Sequence, residues 1–230
     1  MIGIITYDFP HRKTQDLIAR LIFSGYTNLI VFATPYVERK NFRPLFIHRP
    51  SGAVNISVHD LCTRMNIKYV QANVAELNEY FRKYKLDHIL IAGAGILPEE
   101  TVKNHRIINS HPGYLPNVKG LDAFKWAIYN NQPIGVTSHY VSDKTDEGIL
   151  IERRIVPVYF EDTFHSVAYR QYETEIEMLV NAIEIIKTKD VHEQLADENY
   201  QPARRMPHHI ELKMMEEFQR LVKKSPSFIQ

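Results

Sequence analysis

Short apolar runs alternate with amphipathic stretches along the first hundred residues of the chain. Runs such as Ile2 to Tyr7 and Asn28 to Ala33 are largely apolar over several residues, which is typical of strands buried on both faces. Between them, residues 14–25 place leucine and isoleucine three and four positions apart, which predicts a helix capped by Thr14 and ended by Gly25. The same criteria predict strands at 67–70, 88–92 and 106–110 and helices at 58–65, capped by Ser57, and at 74–84.

The pattern changes after residue 133. Residues 134–141 and 150–158 are read most simply as an antiparallel pair of strands, and residues 163–187 form one long amphipathic helix. Because helices of about ten residues separate the earlier strands, we expect a mostly parallel sheet with right-handed crossovers. The predicted fold class is therefore α/β: a Rossmann-like, mostly parallel sheet flanked by helices, with an antiparallel strand pair and a helical C-terminal appendage.

The last forty residues are expected to form that appendage. A polar, irregular stretch at 188–208 precedes a helix predicted over 210–224, so we expect a main domain over 1–190 and a loop plus helix over 191–230. If the apolar stripe of this helix were exposed, it would mark an interface, and a homodimer would be the expected assembly. Docking of the helix onto its own core explains the stripe nearly as well. The stripe consists of Ile210, Met214, Phe218 and Leu221.

Composition places the chain among globular proteins, with 44% apolar and 24% charged residues. The net charge of +1 gives no support to a nucleic-acid partner, since a dedicated binder usually carries a basic patch or a high pI. No apolar run approaches the roughly 20 residues of a membrane span, and no signal peptide is expected because the chain starts directly on a strand. The single cysteine, Cys62, excludes an internal disulfide, and no metal site is expected because His208 and His209 are adjacent and point apart. A cytoplasmic protein fits these features.

Three polar side chains that can support acyl transfer stand near the predicted ends of neighbouring strands. Asn109 can donate to a developing oxyanion, His111 has a reference pKa of about 6.5, and Asp146 can orient the imidazole or hold a water. A Ser-His-Asp triad is disfavoured because Ser110 alternates to the opposite face of the strand and no Gly-x-Ser-x-Gly elbow is present. From spacing alone, an Asn-x-His before Pro-Gly is more often a strand that ends in a turn.

A longer pattern surrounds these residues. In chain order it contains Asn109, His111-Pro112, Leu115-Pro116, Gly120, a helix around Trp126, Gly135 to His139, and Asp146 to Ile149, with Ala92 to Pro98 upstream. This order and spacing resemble the folate-dependent formyltransferases over roughly residues 86–158. The family pattern is Asn-x-His-Pro, then Leu-Pro, a glycine, an amphipathic helix, a Gly-x-(Thr/Ser)-x-His strand and Asp-x-Gly. The upstream loop looks like the folate-pocket loop of the family.

The resemblance implies that residues 1–190 are a formyltransferase catalytic domain that uses 10-formyltetrahydrofolate as its co-substrate. It implies that Asn109 and His111 line the formyl site and that Asp146, which has the Asp-x-Gly spacing that Asp143 lacks, is the third catalytic group. Without the resemblance, the Gly-Ala-Gly stretch would be read as an ordinary strand-to-helix turn, since it is too short for a dinucleotide fingerprint. The implied folate-binding residues are Gly93, Ala94, Gly95, Ile96, Leu97 and, in a supporting role, His139.

The formyl acceptor is open among several classes. Glycinamide-ribonucleotide enzymes have a Gly/Ser-rich phosphate loop after the first strand, where this chain has Asp8 to Lys13 without glycine. Methionyl-tRNA enzymes carry a C-terminal β-barrel, whereas the residues after the long helix here look helical. Formyltetrahydrofolate hydrolases carry an additional N-terminal regulatory domain.

The chain therefore resembles the amino-sugar N-formyltransferases most, and this resemblance implies a small-molecule acceptor, an amino sugar on a nucleotide. A glycinamide-ribonucleotide or other small-amine formyltransferase and a hydrolase remain alternatives. A non-catalytic folate-binding relative is disfavoured because it would need no proton-transfer groups. Candidate phosphate contacts, each more often a solvated surface charge, are Arg12, Lys13, Lys119, Arg204 and Arg205.

Overall fold

A seven-stranded sheet forms the centre of the protein. The computed structural model describes residues 1–36, 42–50, 52–195 and 199–228. The strands are β1 (Ile2–Tyr7), β2 (Leu29–Thr34), β3 (Lys68–Gln71), β4 (His88–Ile91), β5 (Ile107–His111), β6 (Gly135–Val141) and β7 (Gly148–Ile155). Their order across the sheet is β3-β2-β1-β4-β5-β6-β7.

The sheet is parallel from β3 to β5 and antiparallel beyond it. The pairs β1–β2, β2–β3, β1–β4 and β4–β5 are parallel, and β6–β7 is the antiparallel pair predicted from sequence. In addition β6 runs antiparallel to β5, which the sequence did not indicate, and this pairing sets Asn109 opposite His139 and His111 opposite Thr137. The predicted α/β fold class is confirmed.

Helices cover both faces of the sheet because neighbouring residues of each strand point to opposite sides. Ile4 packs in a cluster with the first, second and sixth helices, whereas Ile5 packs in a cluster with the third. The helices are α1 (Arg12–Phe23), α2 (Val58–Arg64), α3 (Leu77–Tyr84, after a 3-10 turn at Val74–Glu76), α4 (Glu99–Asn104), α5 (Ala123–Tyr129), α6 (Phe164–Thr188) and α7 (His208–Lys224).

The predicted helix starts were partly correct. Ser57 caps α2 by accepting from the Asp60 amide, as expected. Thr14 does not cap α1, because that helix begins at Arg12 and the Thr14 hydroxyl instead contacts the Thr6 hydroxyl and His11 Nδ1 inside the core. The short α4 was not predicted.

The apolar stripe of α7 is buried within this chain. Met214 is 0% and Phe218 4% exposed, and both pack with α5 and α6 in one apolar cluster. The Lys125 ammonium of α5 pairs with the Glu211 carboxylate of α7 inside this contact. The apolar stripe is therefore explained by docking of α7 onto the core of the same chain. It provides no free surface for the predicted homodimer.

We expect Phe218→Ala to destabilise the protein by about 3 kcal/mol, because it removes a buried ring that packs edge-on against Phe164. The matched change on the same helix is Leu212→Ala, at a side chain that is 56% exposed, and it should cost less than about 0.5 kcal/mol. Urea unfolding of both variants measures the difference. Equal losses in the free energy of unfolding would contradict the docked position of α7.

Within the described ranges, none of the helices combines the length and apolar composition that crossing a bilayer requires. In the same part of the chain, no group of three or more His, Cys, Asp or Glu side chains is arranged to hold a metal ion. Cys62 is buried, and burial raises the pKa of its thiol to about 11, as expected for a structural thiol.

Candidate active site

His111 is the last residue of β5, and its ring lies between two hydrogen-bond acceptors. Nε2 donates to the Val118 carbonyl at 2.9 Å, and Nδ1 lies 3.2 Å from Oδ1 of Asp146. A neutral imidazole carries one N–H and could donate to only one of these groups. The geometry therefore favours the doubly protonated imidazolium.

Electrostatics support the same protonation state. Burial of His111 lowers its pKa, but the charge and hydrogen bond of Asp146 together with the Val118 carbonyl outweigh burial and raise the pKa above 6.5. Burial also opposes ionisation of Asp146, yet His111 and the Gly120 amide lower the pKa of that carboxyl to about 2. Both shifts favour a buried carboxylate–imidazolium ion pair.

The loop before β7 fixes the carboxylate. Asp146 has a left-handed backbone, with φ of 53°, and its Oδ2 accepts from the Gly120 amide at 2.7 Å. Gly148 has φ of 126°, and a Cβ there would overlap the Tyr140 carbonyl, so the glycine of the Asp-x-Gly spacing is required by close backbone approach. Asp143, by contrast, is exposed.

Asn109 and His139 are cross-strand neighbours on the same face of the sheet as His111. The Asn109 side chain has no hydrogen-bond partner among the described residues, so its amide is available to a ligand. His139 donates from Nδ1 to the Glu147 carbonyl at 3.2 Å, and burial lowers its pKa to about 4, so the ring is neutral. Its Nε2 is a buried acceptor without a hydrogen bond in the described structure.

Two cavities meet beside Asn109. The first, of about 510 Å³, lies over the ends of β1 and β4 and the start of α1. The second, of about 600 Å³, lies over the loop after β4, the 141–146 loop and residues 202–205. His111, His139 and Asp146 line only the second cavity. The residues shared by both cavities are Arg49, Ile91, Ala94, Asn109 and Pro112.

The residues predicted for folate divide between these cavities. Gly95, Ile96 and Leu97 line the second cavity and Ala94 lines both, but Gly93 lines only the first. A Cβ on Gly93 would lie 2.8 Å from the Tyr7 ring and 3.0 Å from the His11 ring, so this glycine makes room for side chains of the first cavity.

Support for His111 comes from the turn that follows it. A Cβ on Gly113 would lie 2.6 Å from His111 Nε2 and 2.5 Å from the Val118 carbonyl, so Gly113 is needed for space beside the ring. Thr137 donates to the Gly113 carbonyl at 2.9 Å and accepts from the Leu115 amide at 3.0 Å. Thr137 therefore holds the turn and belongs to no triad.

Sequence reasoning missed two residues of the first cavity, Glu175 and Arg49. Glu175 is fully buried, and it pairs with Arg49 and with Lys13, whose Nζ lies 2.7 Å away. Burial would raise the pKa of Glu175, but the two cations lower it to about 2. Its position between Tyr172 and Leu179 on the buried stripe of α6 is the signal that could have revealed it.

The candidate phosphate contacts have different positions. Arg12 and Lys13 line the first cavity, and Arg205 lines the second. Lys119 is buried, with Nζ 2.8 Å from the Glu147 carboxylate, and Arg204 lines neither cavity. Of these five residues, Arg12 and Lys13 remain candidate phosphate contacts in the first cavity.

Comparison with known protein families identifies the architecture. The profile described as "Formyl transferase" matches residues 50–183, which is more than half of the chain. The chain belongs to the formyl transferase family. The matched segment contains Asn109, His111 and Asp146, whereas Arg49 and the whole of α7 lie outside it.

Curated relatives of several activities match the chain. Methionyl-tRNA formyltransferase of Fusobacterium nucleatum is 32% identical over 125 residues, which are 53% of this chain and 40% of that protein. Phosphoribosylglycinamide formyltransferase of Haemophilus influenzae is 29% identical over 106 residues, 44% of this chain and 50% of that protein. Formyltetrahydrofolate deformylase of Bacillus subtilis is 34% identical over 148 residues, 57% of this chain and 49% of that protein. The chain thus spans about half the length or less of these relatives.

Solved structures match over more of the chain. A sugar N-formyltransferase from a Shewanella species is 19% identical with a TM-score of 0.61, over 93% of this chain and 87% of that chain. A sugar 3-N-formyltransferase, solved with dTDP and 5-N-formyl-tetrahydrofolate, is 19% identical with a TM-score of 0.63, over 89% of this chain and 70% of that chain. At these identities the likeness establishes the fold alone.

Proposed function

We propose that this formyltransferase moves a formyl group from 10-formyltetrahydrofolate to a primary amine of an amino sugar carried on a nucleotide. The folate would occupy the second cavity. This cavity is lined by a loop of small and apolar residues that includes Gly95 and Leu97, and also by His139. The acceptor would occupy the first cavity, whose rim carries Arg12 and Lys13.

One observation carries this proposal. The unpaired Asn109 amide lies where the two cavities meet, and the His111–Asp146 ion pair lies beside it. A donor and an acceptor that enter from opposite sides would bring formyl carbon and amine together at this point, which is the positioning that transfer needs. No covalent intermediate on the protein is required.

The proposed chemistry is a direct acyl transfer. The unprotonated amine attacks the formyl carbon, a C–N bond forms, and the carbonyl electrons move onto oxygen. The Asn109 amide donates to this oxyanion, and the His111 imidazolium stabilises it through its charge, because both ring N–H groups already have acceptors. When the carbonyl re-forms, the bond to N10 of the folate breaks, and the proton lost by the amine ends on N10.

The amino-sugar acceptor is supported by two observations. The likeness to sugar N-formyltransferases extends over about nine tenths of this chain, which includes at least part of the region after residue 183 that the family profile does not match. Residues 8–13, after β1, contain no glycine and place two cationic side chains at the first cavity. Transfer to glycinamide ribonucleotide is the alternative with the same donor.

A second candidate function is hydrolysis of the formyl group. It is favoured by the match to the Bacillus subtilis deformylase over more than half of the chain. In that case water would replace the amine beside Asn109, and formate would be released.

The proposal is tested with 10-formyltetrahydrofolate and a panel of amino-sugar nucleotides, with glycinamide ribonucleotide as a further acceptor. Mass spectrometry of the acceptors and a formate assay are run on the same reactions. We expect one formyl group to be gained by an amino-sugar nucleotide. Formate release that is independent of every amine would establish hydrolysis as the reaction instead. Formylation of glycinamide ribonucleotide alone would identify that compound, and not an amino-sugar nucleotide, as the acceptor.

We expect kcat to fall on the alkaline side, because the imidazolium of His111 is present at lower pH and is lost as pH rises through its raised pKa. In Asp146→Asn the charge that raises this pKa is gone, so the alkaline limb should move to lower pH. Profiles of kcat from about pH 5 to 10 for both proteins measure the shift. An alkaline limb at the same position in both would exclude His111 as its source.

A further inference from the structure

A carboxylate held between two cations forms part of the first cavity, and the proposed transfer chemistry does not use it. Glu175 accepts from both terminal nitrogens of Arg49 and lies 2.7 Å from the Lys13 ammonium. The carboxylate side chain is 1% exposed and the lysine side chain 13%. This triad, Lys13–Glu175–Arg49, contains two positive charges and one negative charge.

The surplus charge is not neutralised by the rest of the cavity. Arg12 is paired with Asp16 at 2.7 Å, so that pair adds no net charge. His11, the other basic side chain beside the triad, is neutral because burial and the neighbouring cations lower its pKa to about 4. The Arg49 side chain is 39% exposed, and its guanidinium has five N–H groups of which Glu175 takes two, so donors remain for an anion.

The second cavity has no comparable excess. Apart from Arg49, which borders both cavities and pairs with Glu175 of the first, its three aspartates face three cationic groups, and His111–Asp146 is internally neutral. The pairing of Arg49 with Glu175 beside Lys13 therefore favours the first cavity as the side on which an anion binds. The charged lining of the second cavity consists of Asp122, Asp143, Asp146, Arg49, Lys144, Arg205 and His111.

The position of Arg49 depends on the C-terminal helix. Arg49 is carried by residues 42–50, and α7 binds this segment at two points. The Glu211 carboxylate accepts from the Leu45 amide at 2.8 Å, and His208 Nε2 donates to the Arg43 carbonyl at 2.8 Å. Both sides of this contact lie outside the segment that matches the family profile.

We infer that the Lys13–Glu175–Arg49 triad binds a phosphoryl group of the acceptor, and that Glu211 of α7 is a positioning residue that holds Arg49 in the triad. The inference rests on the proposed function only in taking the first cavity as the acceptor side. A phosphoryl group suits the site because its oxygens accept from guanidinium and ammonium together. The group belongs either to a nucleoside diphosphate or to a sugar monophosphate.

Binding without transfer tests the triad. Calorimetry is run on the full chain with inorganic pyrophosphate, with dTDP and with ribose 5-phosphate, in the absence of folate. Arg49→Met leaves Glu175 paired with Lys13, so the fold should persist, and phosphoryl affinity should fall about tenfold or more. Affinity for 5-formyltetrahydrofolate should change less than about twofold, since most of the second cavity is untouched.

The matched control is Arg154→Met, at an arginine that also pairs with glutamate but lies outside both cavities. It should leave phosphoryl affinity unchanged.

Stronger binding of dTDP than of ribose 5-phosphate assigns the group to a nucleoside diphosphate, and the reverse assigns it to a sugar monophosphate. If none of the three probes binds, or if both arginine variants weaken binding equally, the triad is not a phosphoryl site. These outcomes hold whether or not formyl transfer is observed, so the inference and the proposed function fail separately.

Two double variants test the positioning role of Glu211. Lys125→Met with Glu211→Gln removes the buried ion pair but keeps an oxygen for the Leu45 amide. Lys125→Met with Glu211→Leu removes the pair and the oxygen. We expect pyrophosphate affinity to fall about threefold or more in the leucine variant and to be restored in the glutamine variant, at similar unfolding midpoints. Equal affinity in the two would show that α7 only supports the fold.

Discussion

Asn109→Ala and His111→Ala are each expected to lower kcat by roughly two to three orders of magnitude while the protein stays folded. Each removes one source of oxyanion stabilisation, and losses of that size are typical for a single donor. The Asn109 amide makes no hydrogen bond to the described protein, so its removal should cost little stability. His111→Ala should cost more stability, because among the described residues it leaves Asp146 with the Gly120 amide as its remaining partner.

Circular dichroism and thermal unfolding establish that both variants are folded, and single-turnover kinetics with bound folate measure the chemical step. The matched change is His105→Ala, at a partly buried histidine that bonds Asn78 and lies outside the two cavities beside Asn109. It should leave kcat within about twofold of the wild type. If Asn109→Ala retained near-normal turnover, the oxyanion would have to bind elsewhere.

Asp146→Asn is expected to lower kcat and kcat/KM together, by roughly two orders of magnitude. Asparagine tolerates the left-handed backbone at this position, so folding should survive. Its oxygen can still accept from the Gly120 amide, but its NH₂ group then faces His111 Nδ1. That arrangement favours a neutral imidazole with a lone pair on Nδ1, and the positive charge that stabilises the oxyanion is lost.

Asp143→Asn is the comparison, because Asp143 is exposed in the same loop and contacts neither the histidine nor the Gly120 amide. It should lower kcat by less than about threefold. Steady-state kinetics of both variants, with folate affinity measured separately, discriminate the two aspartates. A larger loss in Asp143→Asn would place the catalytic carboxylate three residues earlier in the chain.

Much of the fold was determined by local sequence pattern. Buried parallel strands need continuous apolar runs, and helices need apolar residues at a spacing of three and four, so these elements can be read without knowledge of their partners. The predicted start of α1 was wrong. Thr14 is a residue type that can cap a helix, but its hydroxyl contacts the Thr6 hydroxyl in the core instead. The short α4, Glu99–Asn104, was not predicted because six residues are too few to show the spacing of apolar positions that is typical of a helix.

The docking of α7 required tertiary information for another reason. Sequence shows that Met214 and Phe218 form an apolar stripe, but it does not show which surface covers them. In the structure, α5 and α6 supply that surface, and a single buried ion pair, Lys125–Glu211, joins residues that are 86 positions apart. The stripe alone could therefore not distinguish an intramolecular contact from a dimer interface.

The sequence by itself determined the candidate residues, because Asn109, His111 and Asp146 belong to a longer pattern whose order and spacing resemble the folate-dependent formyltransferases. Only the tertiary structure decided the state and surroundings of these groups. The imidazolium is favoured by the simultaneous approach of Asp146 and the Val118 carbonyl, and the triad joins Arg49 to the buried Glu175 across 126 positions. Such charges are set by desolvation and by neighbours in space, and a linear pattern of residues records neither.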